Sequence, residues 1–169
     1  SQSLRALARL DLEALPPFQV TIAGHGNDAL RVAETAAALD LPFVKFLPQV
    51  PREAVGELLG AADIGLVSFA PFPVLEANAA TKFYDYLAAA LPVVINYQGW
   101  QAELLAAHAC GLSAPQGDEV ALAACLSRLI ADGTLRQQMG AQGRALAQNT
   151  FDRRQLAEEM LQLMLGKLG

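Results

Sequence analysis

The fold is decided by residues 81–95, which read TKFYDYLAAALPVVI. Residues 81–89 carry apolar side chains at helical spacing, and Thr81 stands where a helix N-cap is expected. After Pro92 the apolar run through residue 95 is short and unbroken, which is typical of a strand buried on both faces of a parallel sheet. A helix followed directly by a buried strand is the repeating unit of an α/β protein.

The same alternation continues on both sides of this stretch. Short apolar runs predict five strands, at residues 18–23, 43–47, 64–69, 92–95 and 112–114. Helical spacing predicts helices between them, at residues 3–15, 28–39, 51–59, 81–89 and 101–109. Three further helices close the chain, at residues 119–131, 134–148 and 152–167. The sequence therefore predicts one α/β domain over residues 1–169, a doubly wound parallel sheet of Rossmann-like type with extra C-terminal helices.

Composition excludes several classes of function. The chain has 169 residues, 12 basic and 17 acidic, and a net charge of −5. An acidic chain without a basic cluster is not expected to bind nucleic acid. No apolar run reaches the roughly 20 residues that a membrane span needs. Two cysteines without a CxxC pattern favour a reduced, cytoplasmic protein.

The loops that follow the strands are the expected site. Right-handed crossovers bring residues 24–27, 48–50, 70–80, 96–100 and 115–118 to one side of the sheet, and we call this side, where the strands end, the carboxyl edge. Ligands of open α/β sheets bind there. Gly24 and Gly26 allow close backbone approach to a ligand, or they make a tight turn only.

The connection at residues 70–80 is longer than such loops usually are, and long loops are often functional. It leads into the helix that begins near Thr81, whose free N–H groups favour an anion such as phosphate. Lys82 stands beside that position, although it could instead pair with Asp85. Asp85 has the chemistry to accept two hydrogen bonds from a diol such as ribose. Trp100 has two interpretations, stacking on a sugar or base and core packing.

Seven motifs in order resemble the retaining GT-B glycosyltransferases of group 1, the family-four-like enzymes of polysaccharide and glycolipid assembly. Residues 81–94 resemble the family pattern K-F-x-E-Y-L-A-x-G-x-P-V-V, although Ala90 replaces its glycine. Residues 20–26 resemble its strand followed by G-x-G, residues 44–50 its V-x-F-x-G-x-V, and residues 61–67 its A-D-I-x-L. Downstream pieces, through the Leu135–Gly140 region, follow the family's order and complete a likeness over nearly the whole chain.

The resemblance implies the donor-binding half of such an enzyme, with a nucleotide diphosphosugar as donor substrate and no metal or other cofactor. It implies that Asp85 binds the ribose, that backbone at residues 47–50 meets the base, and that residues 78–82 face the diphosphate and sugar. The substrate-binding residues expected on this basis are Gly24, Gly26, Leu47, Gln49, Asn78, Thr81, Lys82 and Asp85. The family's E-x7-E pair is not reproduced, because Ala77 stands eight positions before Asp85. Glu76, one position away, is the candidate catalytic acid.

The resemblance also implies parts that lie outside this chain. The family's first strand, whose loop supplies an Arg and a Lys to the diphosphate, and its N-terminal acceptor domain are absent from residues 1–169. The longer protein is expected at the inner face of the membrane, with a lipid-linked saccharide as acceptor in capsule or lipopolysaccharide synthesis. Two other functions stay open, a nucleotide-sugar epimerase of the same fold and a non-enzymatic α/β interaction module.

Overall fold

The computed structural model describes residues 2–24, 26, 28–70 and 79–166. Within these ranges helices and short strands alternate along the chain. The strands are β1 (Val20–Ala23), β2 (Val44–Leu47), β3 (Gly65–Val67), β4 (Val93–Ile95) and β5 (Gly111–Ser113). The helices are α1 (Gln2–Leu7), α2 (Ala29–Ala38), α3 (Arg52–Gly60), α4 (Thr81–Ala88), α5 (Trp100–Ala107), α6 (Glu119–Ala131), α7 (Gly133–Thr150) and α8 (Arg153–Gly166).

Every strand pairing is parallel, which confirms the predicted α/β class. The strands form two sheets, however, with the orders β1-β2 and β3-β4-β5. Val20 lies opposite Val44 in the first sheet, and Val93 lies between Gly65 and Gly111 in the second. No ladder joins β1 to β3 in the described residues, so a gap divides the sheet that the sequence predicts as continuous.

Strand β4 shows why the buried strands carry apolar residues without alternation. All three of its residues are fully buried. Val94 belongs to the apolar cluster on one face of the sheet, whereas Val93 and Ile95 belong to the cluster on the other face. Successive side chains of a strand point to opposite faces, and helices cover both here. Helices α1 and α6 contribute to the first cluster, and α4, α5 and α7 to the second.

Three helices end in the same hydrogen-bonded turn without a glycine. After α4, Leu91 N donates to Tyr86 O and Ala90 N to Leu87 O, both at 3.0 Å, which is the Schellman pattern. Ala90 takes the left-handed conformation this turn requires, with φ 58°. Asp40 after α2 and Ala109 after α5 do the same.

Two predicted helix ends are wrong. The helix predicted at residues 101–109 ends at Ala107. Gly111, which follows it and could have closed such a helix, lies instead in β5, where an added Cβ would overlap the carbonyl oxygen of Val93. Helix α1 ends at Leu7 rather than at residue 15. The Asp11 carboxylate accepts hydrogen bonds from Glu13 N at 3.2 Å and Ala14 N at 3.3 Å, and such side-chain bonds compete with helix continuation.

Close packing of α7 on α4 depends on small residues. A Cβ at Gly140 would overlap the carbonyl oxygen of Ala90, and a Cβ at Gly143 would lie 3.0 Å from the Leu87 side chain.

By contrast, α8 has no buried residue. Among the described helices, none combines the length and apolarity needed to cross a membrane.

Candidate functional site

One buried side chain, Asn96, ties together the loops at the carboxyl edge. Its Oδ1 accepts from Phe69 N at 2.7 Å, and its Nδ2 donates to Phe69 O at 2.9 Å and to Gln2 Oε1 at 2.8 Å. Gln2 Oε1 also accepts from Gly117 N at 3.1 Å. The starts of α1 and of the loops after β3, β4 and β5 are therefore held in one network, as the predicted shared edge requires.

The sequence interpretation missed this network, because within the loop at residues 96–100 it considers only Trp100. The available signal was an asparagine directly after three consecutive buried apolar residues. A polar side chain continuing a buried run needs hydrogen-bond partners inside the protein.

The gap between the two sheets is a cavity of about 1410 Å³. Its walls include β1 from one side and β3 residues from the other. Ser68, Lys82 and Gly117 line it where it reaches the carboxyl edge, and Leu47 also lies on its wall. Of the predicted site residues, the structure thus brings Lys82 and Leu47 onto one cavity.

Helix α4 presents three of the predicted residues on its exposed surface, Thr81, Lys82 and Asp85. Thr81 is the first helical residue rather than the predicted N-cap, since Ala80 takes the cap position in an extended conformation with ψ 118°. No side chain among the described residues caps this helix, unlike α6, where Asp118 accepts from Ala121 N at 2.8 Å. The first turn of α4 therefore offers N–H groups to an anion.

The alternative pairing of Lys82 with Asp85 is not formed in the part of the chain that the structure describes. Thr81 and Asp85 are one turn apart, and Lys82 lies between them in sequence, so all three are close along the helix surface. Lys82, Asp85 and Thr81 thus provide one cation, one carboxylate and one hydroxyl beside the N–H groups of the first helical turn.

A second group of predicted residues lies at the ends of β1 and β2. Gly24, Leu47 and Pro48 line a hollow of about 240 Å³. Gly24 has φ 132°, a conformation that L side chains rarely adopt, and its N–H donates to Leu47 O at 3.2 Å. Gly26 O accepts from Ala29 N at 3.0 Å as α2 begins. Gln49 is exposed and lines neither the hollow nor the large cavity.

Glu76 and Asn78 lie outside the described residues. Among the residues that are described, no group of three or more His, Cys, Asp or Glu could hold a metal ion. The absence of a metal requirement stays a prediction.

Aromatic side chains of α4 and α5 pack against one another near this site. Trp100, 37% exposed at the start of α5, has its ring centroid 6.4 Å from that of Phe83 and 6.5 Å from that of Tyr84. Tyr97 is fully buried and donates its hydroxyl to Gln101 Oε1 at 2.6 Å. Burial raises the pKa of Tyr97 to about 12, so this hydroxyl stays a hydrogen-bond donor at neutral pH.

Comparison with known proteins decides the family. The sequence model described as "Glycosyl transferases group 1" matches residues 1–146. This chain belongs to the group 1 glycosyltransferase family. The amylovoran biosynthesis glycosyltransferase AmsK of Erwinia amylovora is 33% identical over 119 residues, which are 66% of this chain and 28% of AmsK. Membership in a transferase family favours the glycosyltransferase over the two other functions left open by the sequence, the epimerase and the non-enzymatic interaction module.

Solved structures show the same fold at low identity. WaaG, a glycosyltransferase involved in lipopolysaccharide biosynthesis, is 22% identical with a TM-score of 0.75, over 96% of this chain and 42% of WaaG. Sucrose-phosphate synthase from Thermosynechococcus elongatus is 22% identical with a TM-score of 0.79, over 99% of this chain and 42% of that protein. Anabaena HepE, solved with UDP, is 23% identical with a TM-score of 0.72, over 94% of this chain and 44% of HepE. This chain therefore spans less than half the length of the relatives it matches.

Proposed function

We propose that this chain is the donor-binding half of a glycosyltransferase that moves a sugar from a nucleotide diphosphosugar to a hydroxyl group. The observation that carries the proposal is the exposed surface of α4. In a chain of the group 1 family, Thr81, Lys82 and Asp85 stand together at the carboxyl edge, beside helix amides that no described side chain caps. This is the edge at which open α/β sheets bind ligands.

Each group has a role that follows from its chemistry. The N-terminus of α4 and the Lys82 ammonium receive the diphosphate and stabilise the negative charge of the leaving nucleoside diphosphate. Asp85, one turn along the same helix, accepts hydrogen bonds from the two ribose hydroxyls. Gly24, Gly26, Leu47 and Gln49 lie at the ends of β1 and β2, where the base is held. As the resemblance implies, Asn78 faces the diphosphate and sugar, and Glu76 is the candidate catalytic acid.

The rest of the enzyme completes the reaction. The chain spans 28% of AmsK and 42% of WaaG. As the resemblance implies, the acceptor site belongs to an N-terminal domain of the longer protein. Positioning of acceptor against donor supplies much of the rate of group transfer. We therefore expect the purified 169-residue chain to transfer no sugar.

The relatives support a biological setting in polysaccharide assembly. AmsK is named for amylovoran biosynthesis and WaaG for lipopolysaccharide biosynthesis, and HepE has been solved with UDP-glucose. We propose that the longer protein works without a metal at the cytoplasmic face of the membrane, on a lipid-linked saccharide in capsule or lipopolysaccharide assembly. UDP-glucose is the first donor to test.

The experiment compares variants in a polypeptide that contains both halves. Asp85→Ala removes a charge-assisted pair of hydrogen bonds and should weaken donor binding by about 2 kcal/mol, roughly 30-fold, in calorimetric titration. Asp85→Glu keeps the carboxylate and should stay within a few-fold of the parent. Glu57→Ala, an exposed acid on α3, is the matched control and should change nothing. If Asp85→Ala lowered the melting temperature sharply while donor affinity held, Asp85 would be a structural residue and the proposal would fail.

A further inference from the structure

Trp100 places a partly exposed indole ring at the carboxyl edge. It is the first residue of α5, directly after the loop that follows β4, and 37% of it is exposed to solvent. Partly exposed tryptophans are common on protein surfaces, so the surroundings of this ring decide what it can do. The roles assigned above to the donor site leave the ring unused.

The chain on both sides of Trp100 is fixed by buried side chains. The Tyr97 ring centroid lies 4.9 Å from that of Phe69, and the Tyr97 hydroxyl donates to Gln101 Oε1 at 2.6 Å. Tyr97 and Gln101 are both fully buried. Between them Gly99 takes a left-handed conformation, with φ 99°, as α5 begins. The indole is therefore held in one position before a ligand arrives, which lowers the entropic cost of binding to it.

The indole lies beside the first turn of α4. Its ring centroid is 6.5 Å from that of Tyr84, with 34° between the two ring planes, and 6.4 Å from that of Phe83. Side chains of a helix lean toward its N-terminus, so the Tyr84 ring covers the turn that contains Thr81. Trp100 thus borders the end of α4 that we propose as the diphosphate site.

Three candidate subsites follow one another along the carboxyl edge. The hollow of about 240 Å³ lies at the ends of β1 and β2, the first turn of α4 follows β3, and Trp100 follows β4. The cavity between the sheets has β1 residues on one wall and β3 residues on the other, and β4 lies on the far side of β3. The start of α4 therefore lies between the hollow and Trp100.

The two sides of α4 agree with this order. Lys82 and Tyr84 are two positions apart, which is about 200° around a helix, so they lie on opposite sides of it. Lys82 lines the cavity that borders β1, whereas Tyr84 packs against Trp100. A nucleotide diphosphosugar has the same linear order, with the base at one end, the diphosphate in the middle and the sugar at the other end.

We propose that, in the donor site proposed above, the Trp100 ring binds the sugar that is transferred. A pyranose presents C–H groups on the faces of its ring, and the electron-rich face of an indole attracts them. The sugar is linked directly to the second phosphate, so a diphosphate at the first turn of α4 brings the sugar to the neighbouring side chains. Trp100 thereby favours a nucleotide that carries a pyranose with an apolar face over the same nucleotide without its sugar.

The test separates binding of the sugar from binding of the nucleotide. Calorimetric titration gives the dissociation constants of UDP and of UDP-glucose in a polypeptide that contains both halves. Trp100→Ala should weaken UDP-glucose binding by about three- to tenfold, while UDP stays within about twofold of the parent. Trp100→Phe keeps an aromatic ring and should recover most of the loss. Leu12→Ala is the matched control, because Leu12 is a large apolar residue, 50% exposed, in the connection between α1 and β1. It should change neither constant.

A second measurement needs no substitution, because Trp100 is the only tryptophan of the 169-residue chain. Its fluorescence is excited at wavelengths that uracil does not absorb and is followed during titration with UDP and with UDP-glucose. At equal occupancy, which the amide shifts of residues 81–85 report, UDP-glucose should change the emission more than UDP does. Equal changes with the two ligands would contradict a contact between the indole and the sugar.

The outcomes of the calorimetric test distinguish this inference from the donor site on which it rests. Equal losses of UDP and UDP-glucose affinity in Trp100→Ala would give the ring a structural role and overturn the inference. Unchanged affinity for both ligands in that variant would also overturn it. In either case the parent still binds UDP-glucose, and the donor site stands. If the parent bound neither ligand, the proposed function would fail and the role of Trp100 with it.

Discussion

Replacing Asn96 with alanine removes the side chain that joins the loops at the carboxyl edge. Three hydrogen bonds are lost, two to the backbone of Phe69 and one to Gln2. Each such bond contributes about 1 kcal/mol, so the free energy of unfolding should fall by about 3 kcal/mol. Backbone groups of Phe69 left without partners would add to this loss. For a chain of this size the change corresponds to a melting temperature lower by roughly 6–12 °C.

The assay is urea unfolding, with the slope of the free energy against urea checked for constancy. Gln98→Ala is the matched control, because Gln98 is exposed in the same loop and should stay within about 0.5 kcal/mol of the parent. Gln2→Ala completes a double-mutant cycle, in which the coupling with Asn96 should be about 0.5–1.5 kcal/mol. A loss for Asn96→Ala below about 1 kcal/mol, or no coupling to Gln2, would refute the view that this network holds the edge together.

Three further predictions follow from packing, backbone conformation and charge. Gly140→Ala places a methyl group against Ala90 O, so in urea unfolding it should lower the free energy of unfolding by about 1–3 kcal/mol. The control is Gly56→Ala, which lies in open space within α3 and should raise that free energy by about 0.5–1 kcal/mol. Ala90→Gly relieves a left-handed alanine and should raise the urea midpoint by an amount equivalent to about 0.5–1 kcal/mol; an unchanged midpoint would contradict the strain argument. The Arg5 hydrogen bond holds the pKa of Glu119 below its ordinary value of 4.5, so this acid stabilises the fold above that pH and loses the effect as pH falls through the lowered pKa. The stability lost in Glu119→Gln should therefore be present near pH 6 and vanish at pH values below the lowered pKa, and a difference independent of pH would count against the ion pair.

Most of the fold was predictable because its signals are local. The unbroken apolar run of β4 and the periodic apolar positions of α6 report burial and direction without knowledge of the rest of the chain. Helix ends were less predictable. The apolar spacing of the first helix continues to Leu15, but α1 ends at Leu7. Beyond it, the Asp11 carboxylate accepts hydrogen bonds from nearby backbone N–H groups instead. The split between β1 and β3 could not be predicted from strand patterns, because pairing order is a long-range property.

The candidate site was predictable in part. The position of Lys82 at the carboxyl edge follows from strand order alone, and the structure places it on the cavity between the sheets. The exposure of Asp85 and the missing ion pair with Lys82 depend on side-chain geometry that spacing does not determine. The Asn96 network needed the three-dimensional structure, because its partners Gln2 and Phe69 are 94 and 27 positions away in sequence.

The measurement that tests the central claim most directly is an NMR titration of the isotope-labelled 169-residue chain with UDP-glucose. Without the rest of the enzyme we expect affinity on the order of millimolar, since a helix terminus contributes only about 0.3–2 kcal/mol. NMR detects binding in that range through amide shifts. We expect shifts at residues 47–49 and 81–85, smaller shifts in Lys82→Gln, and none along α8. Shifts confined to residues outside the carboxyl edge, or no shifts at saturating ligand, would contradict the placement of the donor site.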